Sequence, residues 1–209
     1  MMQDLFFETI SNELFDIINR ICKDSFFNQF RLFGGTALSL QIGHRISEDA
    51  DFISEKEINN EELINHLMSN YSDVKDIRSN NLGVFLKIGD IKVDFLSWNK
   101  PFIRNEVSHN FIRLMHIEEI ATHKIFTIQN QDEKKDYIDI AALLRIYSLS
   151  QLIGFYGEKY NNSNKFFLVK YLISFSDIDN QPMPKMLNSL KWEDVKSTLL
   201  TASDEMMGK

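Results

Sequence analysis

Phe33-Gly34-Gly35-Thr36-Ala37-Leu38, followed by His44-Arg45-Ile46-Ser47-Glu48-Asp49-Ala50-Asp51-Phe52, is the stretch whose reading decides the fold. Residues 29–33 are short and extended in character and end on the two glycines. Thr36 to Ile42 takes up helical spacing through Ala37, Leu38 and Leu40. Gly43 stops it, as a glycine just past a helix C-terminus does. His44 to Glu48 is polar and reads as a loop, and Asp49 to Ser54 then alternates polar and apolar, the pattern of a half-buried strand. Side chains two apart on a strand share a face. Asp49 and Asp51 therefore project together, while Ala50 and Phe52 turn toward a core. Two adjacent carboxylates repel unless a cation lies between them, and Mg²⁺ suits one or two carboxylates completed by substrate phosphates.

Further along, Val74 to Arg78, Gly83 to Ile88 and Ile91 to Trp98 are extended segments, with Gly89-Asp90 as a tight hairpin turn. In Lys92-Val93-Asp94-Phe95-Leu96, Asp94 lies on the face opposite Val93 and Phe95. If this strand neighbours the one carrying Asp51, three aspartates converge. Such a set can hold two cations that clamp the attacking and leaving oxygens of a phosphoryl displacement. Gly34-Gly35-Thr36 sits at a strand-to-helix junction. Glycines there let backbone approach a phosphate, and the helix start offers free N–H groups and a positive dipole end. Thr36 can cap that helix or bond a phosphate oxygen. Taken singly, an Asp-x-Asp is usually a solvated strand face and a Gly-Gly pair a tight turn. Their combination in this order carries the specificity.

Toward the N-terminus, Leu5, Phe6, Ile10, Leu14, Ile17, Ile18 and Ile21 predict one amphipathic helix over Asp4 to Cys22. Glu61 to Met68 is helical in pattern, and Pro101 closes the β-rich stretch. Helices are expected over His116 to Ile128 and Lys135 to Tyr147, and a small helical bundle over the remainder. The layout is α+β: a mixed sheet with flanking helices in a domain of residues 1–148, then a C-terminal helical domain of residues 149–209.

The chain has 209 residues, 44% hydrophobic and 25% charged, so a sizeable core can form. Its net charge of -7 argues against a surface that clings everywhere to nucleic acid, though a local basic cleft stays compatible. Cys22 is the single cysteine, so no intrachain disulfide forms, which suits a reducing compartment. Cys22 reads as a small buried hydrophobe within a helical pattern. No apolar run is long enough to span a bilayer, and Asp4 and Glu8 interrupt any leader-like N-terminus. The expected location is cytoplasmic, without membrane contact. His44 alone reads as a surface histidine, and His109, His116 and His123 share no ligand spacing, so zinc is not expected.

These residues resemble the polymerase-β-like nucleotidyltransferase superfamily, with its Gly-Gly or Gly-Ser turn followed by Asp-x-Asp. More closely, Gly34-Gly35-Thr36 and His44-Arg45-Ile46-Ser47-Glu48-Asp49-Ala50-Asp51 resemble the AbiEii/AbiGii toxin family. Lys124 and then Lys135-Asp136-Tyr137-Ile138-Asp139-Ile140 resemble that family's later signature. The resemblance covers about residues 33–144. It implies a polymerase-β-like fold and a metal-dependent enzyme that moves a nucleoside monophosphate from an NTP to a hydroxyl acceptor. It further implies Mg²⁺, or Mn²⁺ in its place, on Asp49, Asp51 and Asp94, with Asp94 also helping to deprotonate the acceptor. Gly34, Gly35 and Thr36 would hold the triphosphate, and Arg45 and Ser47 would support phosphates or orient the loop. Lys124 would neutralise triphosphate charge, and Asp139 would lie near the nucleotide or position Lys124. By analogy the acceptor is RNA, tRNA among the candidates, and the partner is a cognate antitoxin. One departure stands out: Gln131 occupies a position where related sequences often carry arginine. Two alternatives use the same residues, a metal-dependent phosphohydrolase and a non-catalytic nucleotide-binding module.

Overall fold

The computed structural model describes residues 4–130, 133–161, 164–187 and 189–208. Its helices and strands form a mixed α+β fold whose chain divides into two compact units. Residues 1–43 and 47–116 make one, and residues 44–46 and 117–209 the other. The boundary expected near residue 148 lies inside the second unit.

The first unit is built on a seven-stranded sheet of order β3-β4-β5-β2-β1-β7-β6. The strands are β1 (Arg31–Phe33), β2 (Ala50–Ser54), β3 (Val74–Asn80), β4 (Gly83–Ile88), β5 (Ile91–Ser97), β6 (Val107–His109) and β7 (Ile112–Leu114). β2 runs antiparallel to β1 and parallel to β5, and β4 and β5 form the hairpin around Gly89. Ala50, Phe52, Val84, Leu86, Val93 and Phe95 are buried. Phe95 stacks on Phe27 with ring centroids 5.0 Å apart and on Phe52 at 5.4 Å. Burial of each such ring contributes about 1.5–3 kcal/mol. Three helices accompany the sheet. α1 (Asn12–Lys23) packs on β7, α2 (Gly34–Ile42) on β1 and β2, and α3 (Asn60–Asn70) on β3 and β4.

Two expectations need correction in this unit. The single helix over Asp4 to Cys22 is instead a 3₁₀ turn, Phe7–Thr9, an extended Ile10, and then α1. Ser11 accepts from the Leu14 N–H at 3.1 Å and caps α1 there. The backbone before it is already engaged: Phe6 N–H donates to Leu40 O at 2.8 Å, and Thr9 O accepts from Ser47 N–H at 2.9 Å. The sheet also continues beyond Pro101, because β7 pairs parallel to β1, Leu32 opposite Leu114. Three-residue strands are too short to show a period. Arg113 secures this edge by donating to the carbonyls of Cys22, Phe27 and Phe30 at 2.9, 3.1 and 3.2 Å.

The second unit is helical: α4 (Ile117–Asn130), α5 (Lys134–Leu143), α6 (Leu149–Tyr160), α7 (Lys165–Leu172) and α8 (Trp192–Met207). α4 packs against α5, α6 and α7, and α8 against α5 and α6. α5 ends four residues before the expected Tyr147 because Ser148 opens α6 with a capping box to Gln151. Tyr137 is fully buried, and its ring meets Trp192 edge-on at 6.2 Å.

Candidate active site

β2 and β5 lie side by side in parallel with Asp51 opposite Asp94, so both carboxylates leave the same face. Their flanking pairs, Ala50 with Val93 and Phe52 with Phe95, leave the other face into the core. Apolar packing of those four residues therefore sets the acidic register. Asp49 lies just before β2, two residues from Asp51. Lys92, also two residues from Asp94, pairs with Asp94 Oδ2 at 2.8 Å. The other oxygen, Asp94 Oδ1, is buried without a hydrogen-bond partner. Burial pushes the Asp94 carboxyl pKa above the ordinary carboxylate value, and the Asp49 charge adds to this; Lys92 and Arg78 only partly oppose it. Burial alone would lower the Lys92 pKa. The hydrogen bond to Asp94 and the charges of Asp94, Asp51 and Asp49 raise it instead, so all three acids act on one ammonium.

The glycine turn closes against the same acids. Phe33 pairs with Asp51 across β1 and β2, and Gly34 follows directly with φ +71°. A Cβ on Gly34 would come 2.7 Å from Asp51 Oδ2. The N-cap residue of α2, Phe33, makes no side-chain cap. Gly34→Ala is expected to destabilise the chain by about 1–2 kcal/mol through backbone strain alone, and to reduce activity further by displacing Asp51. Thermal melts and transfer assays on that variant check both effects.

Thr36 and Ser47 brace the loop that ends at Asp49. Both are buried; the Thr36 hydroxyl donates to the Asp49 carbonyl, and a further hydrogen bond of 2.8 Å joins it to the Ser47 hydroxyl. Gly34, Gly35, Thr36, Ser47, Asp49, Asp51 and Asp94 thus belong to one unit.

The remaining candidates meet in the helical unit. Asp139 on α5 is fully buried and receives Arg45 Nε at 2.7 Å and Arg45 Nη2 at 3.0 Å, a two-pronged pair. His44 Nε2 donates to the same carboxylate at 2.7 Å, so the expected surface histidine is in fact buried. Lys124 Nζ lies 2.6 Å from both Asp139 Oδ2 and Asp136 Oδ1. Lys124 is 7% exposed, and its charge is neutralised within this cluster. Burial alone would raise the Asp139 pKa; the charges of Arg45 and Lys124 and the hydrogen bonds from His44 and Arg45 hold it well below the usual range.

The family model described as nucleotidyl transferase AbiEii toxin, type IV toxin–antitoxin system, matches residues 16–205. The chain belongs to the AbiEii family. The protein aq_aa25 of Aquifex aeolicus (strain VF5) is 29% identical over 155 residues, covering 72% of this chain and 75% of that protein. The crystal structure of JHP933 from Helicobacter pylori superposes with a TM-score of 0.59 at 18% identity, covering 95% of this chain and 94% of that one. A second H. pylori structure gives 0.57 at 19% identity over 95% and 96%. Those two likenesses concern the fold. The family read from the Gly-Gly turn and the Asp-x-Asp is the family of the chain, and this AbiEii protein is a nucleotidyltransferase.

The acidic site of this AbiEii chain fits a hard divalent cation. Its donors are carboxylate oxygens, two of its acids are in register, and Asp94 Oδ1 is buried with no donor upon it. Among the described residues, no three His, Cys, Asp or Glu side chains stand together at metal-binding geometry. Lys92 offsets part of the acids' charge through its pair with Asp94. Two members of the AbiEii cluster, His44 and Asp136, were not among the expected site residues, although His44 adjoins Arg45 and Asp136 lies one helical turn before Asp139. Gln131, the position often arginine in relatives, lies outside the described residues. Among the described residues no helix is long and apolar enough to cross a membrane.

Proposed function

We propose that this AbiEii protein transfers a nucleoside monophosphate from an NTP to a hydroxyl of an RNA acceptor, with tRNA among the candidates, and that a cognate antitoxin restrains it. The observation that carries this reading is the Asp51–Asp94 register beside Gly34. Asp49, Asp51 and Asp94 would hold Mg²⁺ or Mn²⁺. Such a cation, when bound, supplies charge neutralisation at the reacting phosphate and acidifies the attacking hydroxyl. The Gly34-Gly35 turn and the first N–H groups of α2 receive the triphosphate, where the helix dipole is positive and glycine lets a phosphate approach the backbone. Asp94 stands in register with Asp51 and has a buried oxygen on which no donor lies, so it is the carboxylate we assign to receive the hydroxyl proton. Thr36 and Ser47 hold Asp49 in place, while Arg45, Asp139 and Lys124 frame the segment that leads into that loop.

Incubating the protein with total RNA and each labelled NTP in turn, with and without Mg²⁺, tests the reading. Metal-dependent label on an RNA, with pyrophosphate released in step, is expected, and sequencing names the acceptor. Phosphate release that needs no acceptor would make the protein a phosphohydrolase. Nucleotide binding without turnover would make it a binding module.

A further inference from the structure

The row of register partners that joins Asp51 to Asp94 continues past β5. Asp94 stands opposite Phe85 on β4, and Phe85 stands opposite Arg78 on β3. A parallel row runs from Lys92 to Lys87 to Lys75. Directly opposed residues of an antiparallel pair share a face, and the alternate residues Val84, Leu86, Val93 and Phe95 are buried on the other. Leading away from the carboxylates, this face therefore presents a half-buried aromatic ring among cations. Arg78, Phe85, Lys87, Lys92 and Asp94 all line one recess of about 420 Å³. The ammonium of Lys87 pairs with Asp76 at 3.1 Å and that of Lys75 with Asp90 at 3.2 Å, both at the surface. Exposed pairs of this kind contribute little to stability, so a phosphate can displace the carboxylate.

Sheet order gives the recess its direction. The glycine turn follows β1, the carboxylates stand on β2 and β5, and Phe85 and Arg78 stand on β4 and β3. The acids thus separate the glycine turn from the recess. In nucleotidyl transfer the entering and leaving oxygens lie in line on opposite sides of the phosphorus. With the triphosphate on the glycine turn, the entering hydroxyl arrives from the β4–β3 side.

We propose that the β3–β4–β5 face is the acceptor track, taking the 3′ end of a single-stranded RNA. The terminal base stacks on Phe85, and the preceding phosphates lie along Arg78 and Lys87. The terminal ribose hydroxyl meets Asp94. Its oxygen bonds to the α-phosphorus, the bond from that phosphorus to the α–β bridging oxygen breaks, and pyrophosphate leaves with the electron pair. The hydroxyl proton is released to solvent. Aromatic stacking combined with cations along a strand is the general chemistry of single-strand binding. It also reconciles an RNA acceptor with a chain of net charge -7, because the basic surface required is local. The proposal rests on the transfer reading above.

A 5′-labelled oligoribonucleotide with a free 3′ hydroxyl provides the test, through fluorescence anisotropy and steady-state kinetics on the full chain. Phe85→Leu is expected to weaken oligonucleotide binding and to raise the acceptor KM roughly 5- to 100-fold. The paired surface variant Arg78→Ala/Lys87→Ala is expected to lower the slope of log affinity against log salt by about 0.7 for each phosphate that is no longer neutralised. Neither should move the KM for NTP more than about twofold. Unchanged oligonucleotide affinity in both variants overturns the proposal. So does a rise in the NTP KM in place of the acceptor KM, which would make the recess a pocket for the incoming base. If the wild type transfers nothing to RNA, the functional reading fails instead, and the binding arm, which needs no turnover, still decides the track.

Discussion

Asp94→Asn is expected to lower nucleotide transfer by a factor on the order of 10²–10³ or more, while the chain melts in metal-free buffer no lower than the wild type. Both halves follow from one geometry. Asp94 is buried, and burial together with the charge of Asp49 raises its pKa. An acid whose folded pKa exceeds its unfolded pKa destabilises the ionised folded state. That cost is present at neutral pH and is relieved as pH falls through the folded value, because the folded chain then holds the additional proton. Asn keeps the shape and removes the charge, so the cost disappears and with it the donor oxygen. Addition of Mg²⁺ separates this account from simple charge relief. If the acids hold Mg²⁺, the cation at about 100 times its Kd would stabilise the wild type by about 2.7 kcal/mol. Asp94→Asn should lose most of that gain. Parallel melts with and without Mg²⁺, set beside labelled-NTP incorporation, check the prediction. Full transfer by the Asn variant would remove Asp94 from the chemistry.

The second large effect belongs to Asp139. Its removal leaves Arg45 and Lys124 inside the helical unit with half of their compensation gone. Breaking a buried ion pair by deleting one partner costs about 3–5 kcal/mol, and Asp139→Ala is expected to show a loss of that size in denaturant unfolding. Asp139→Asn should lose less, since the amide keeps the shape and one oxygen that accepts from Arg45. The pH profile carries a further signature. Asp139 has a lowered pKa, so its stabilisation is present above the unfolded value of about 3.9 and is lost as pH falls through the folded one. For Lys124, burial would lower the pKa, but Asp136 and Asp139 raise it. Its stabilisation is present below about 10.4 and is lost as pH rises through the folded value. The wild type should therefore hold a plateau between these limits, and in Asp139→Ala both shoulders should flatten. A variant as stable as the wild type would show that the cluster contributes nothing net.

Much of the acidic site was legible along the chain because its pieces are local. A two-residue period turns Asp51 away from Ala50 and Phe52, a glycine pair marks a strand-to-helix junction, and Gly43 with φ +65° ends the helix as its position suggested. Backbone sterics and side-chain alternation act between near neighbours, so sequence alone determined these features and the family they signal. Which strand lies beside which, and in what register, is decided by residues far apart in the chain. Asp51 faces Asp94 because Phe52 packs on Phe95 and Ala50 pairs with Val93, and a slip of one residue would turn an acid into the core. Likewise His44 became a buried partner of Asp139, and Ile112–Leu114 a strand, through neighbours that no local pattern names. Only the packed fold, where burying apolar surface outweighs local preference, could bring those groups together.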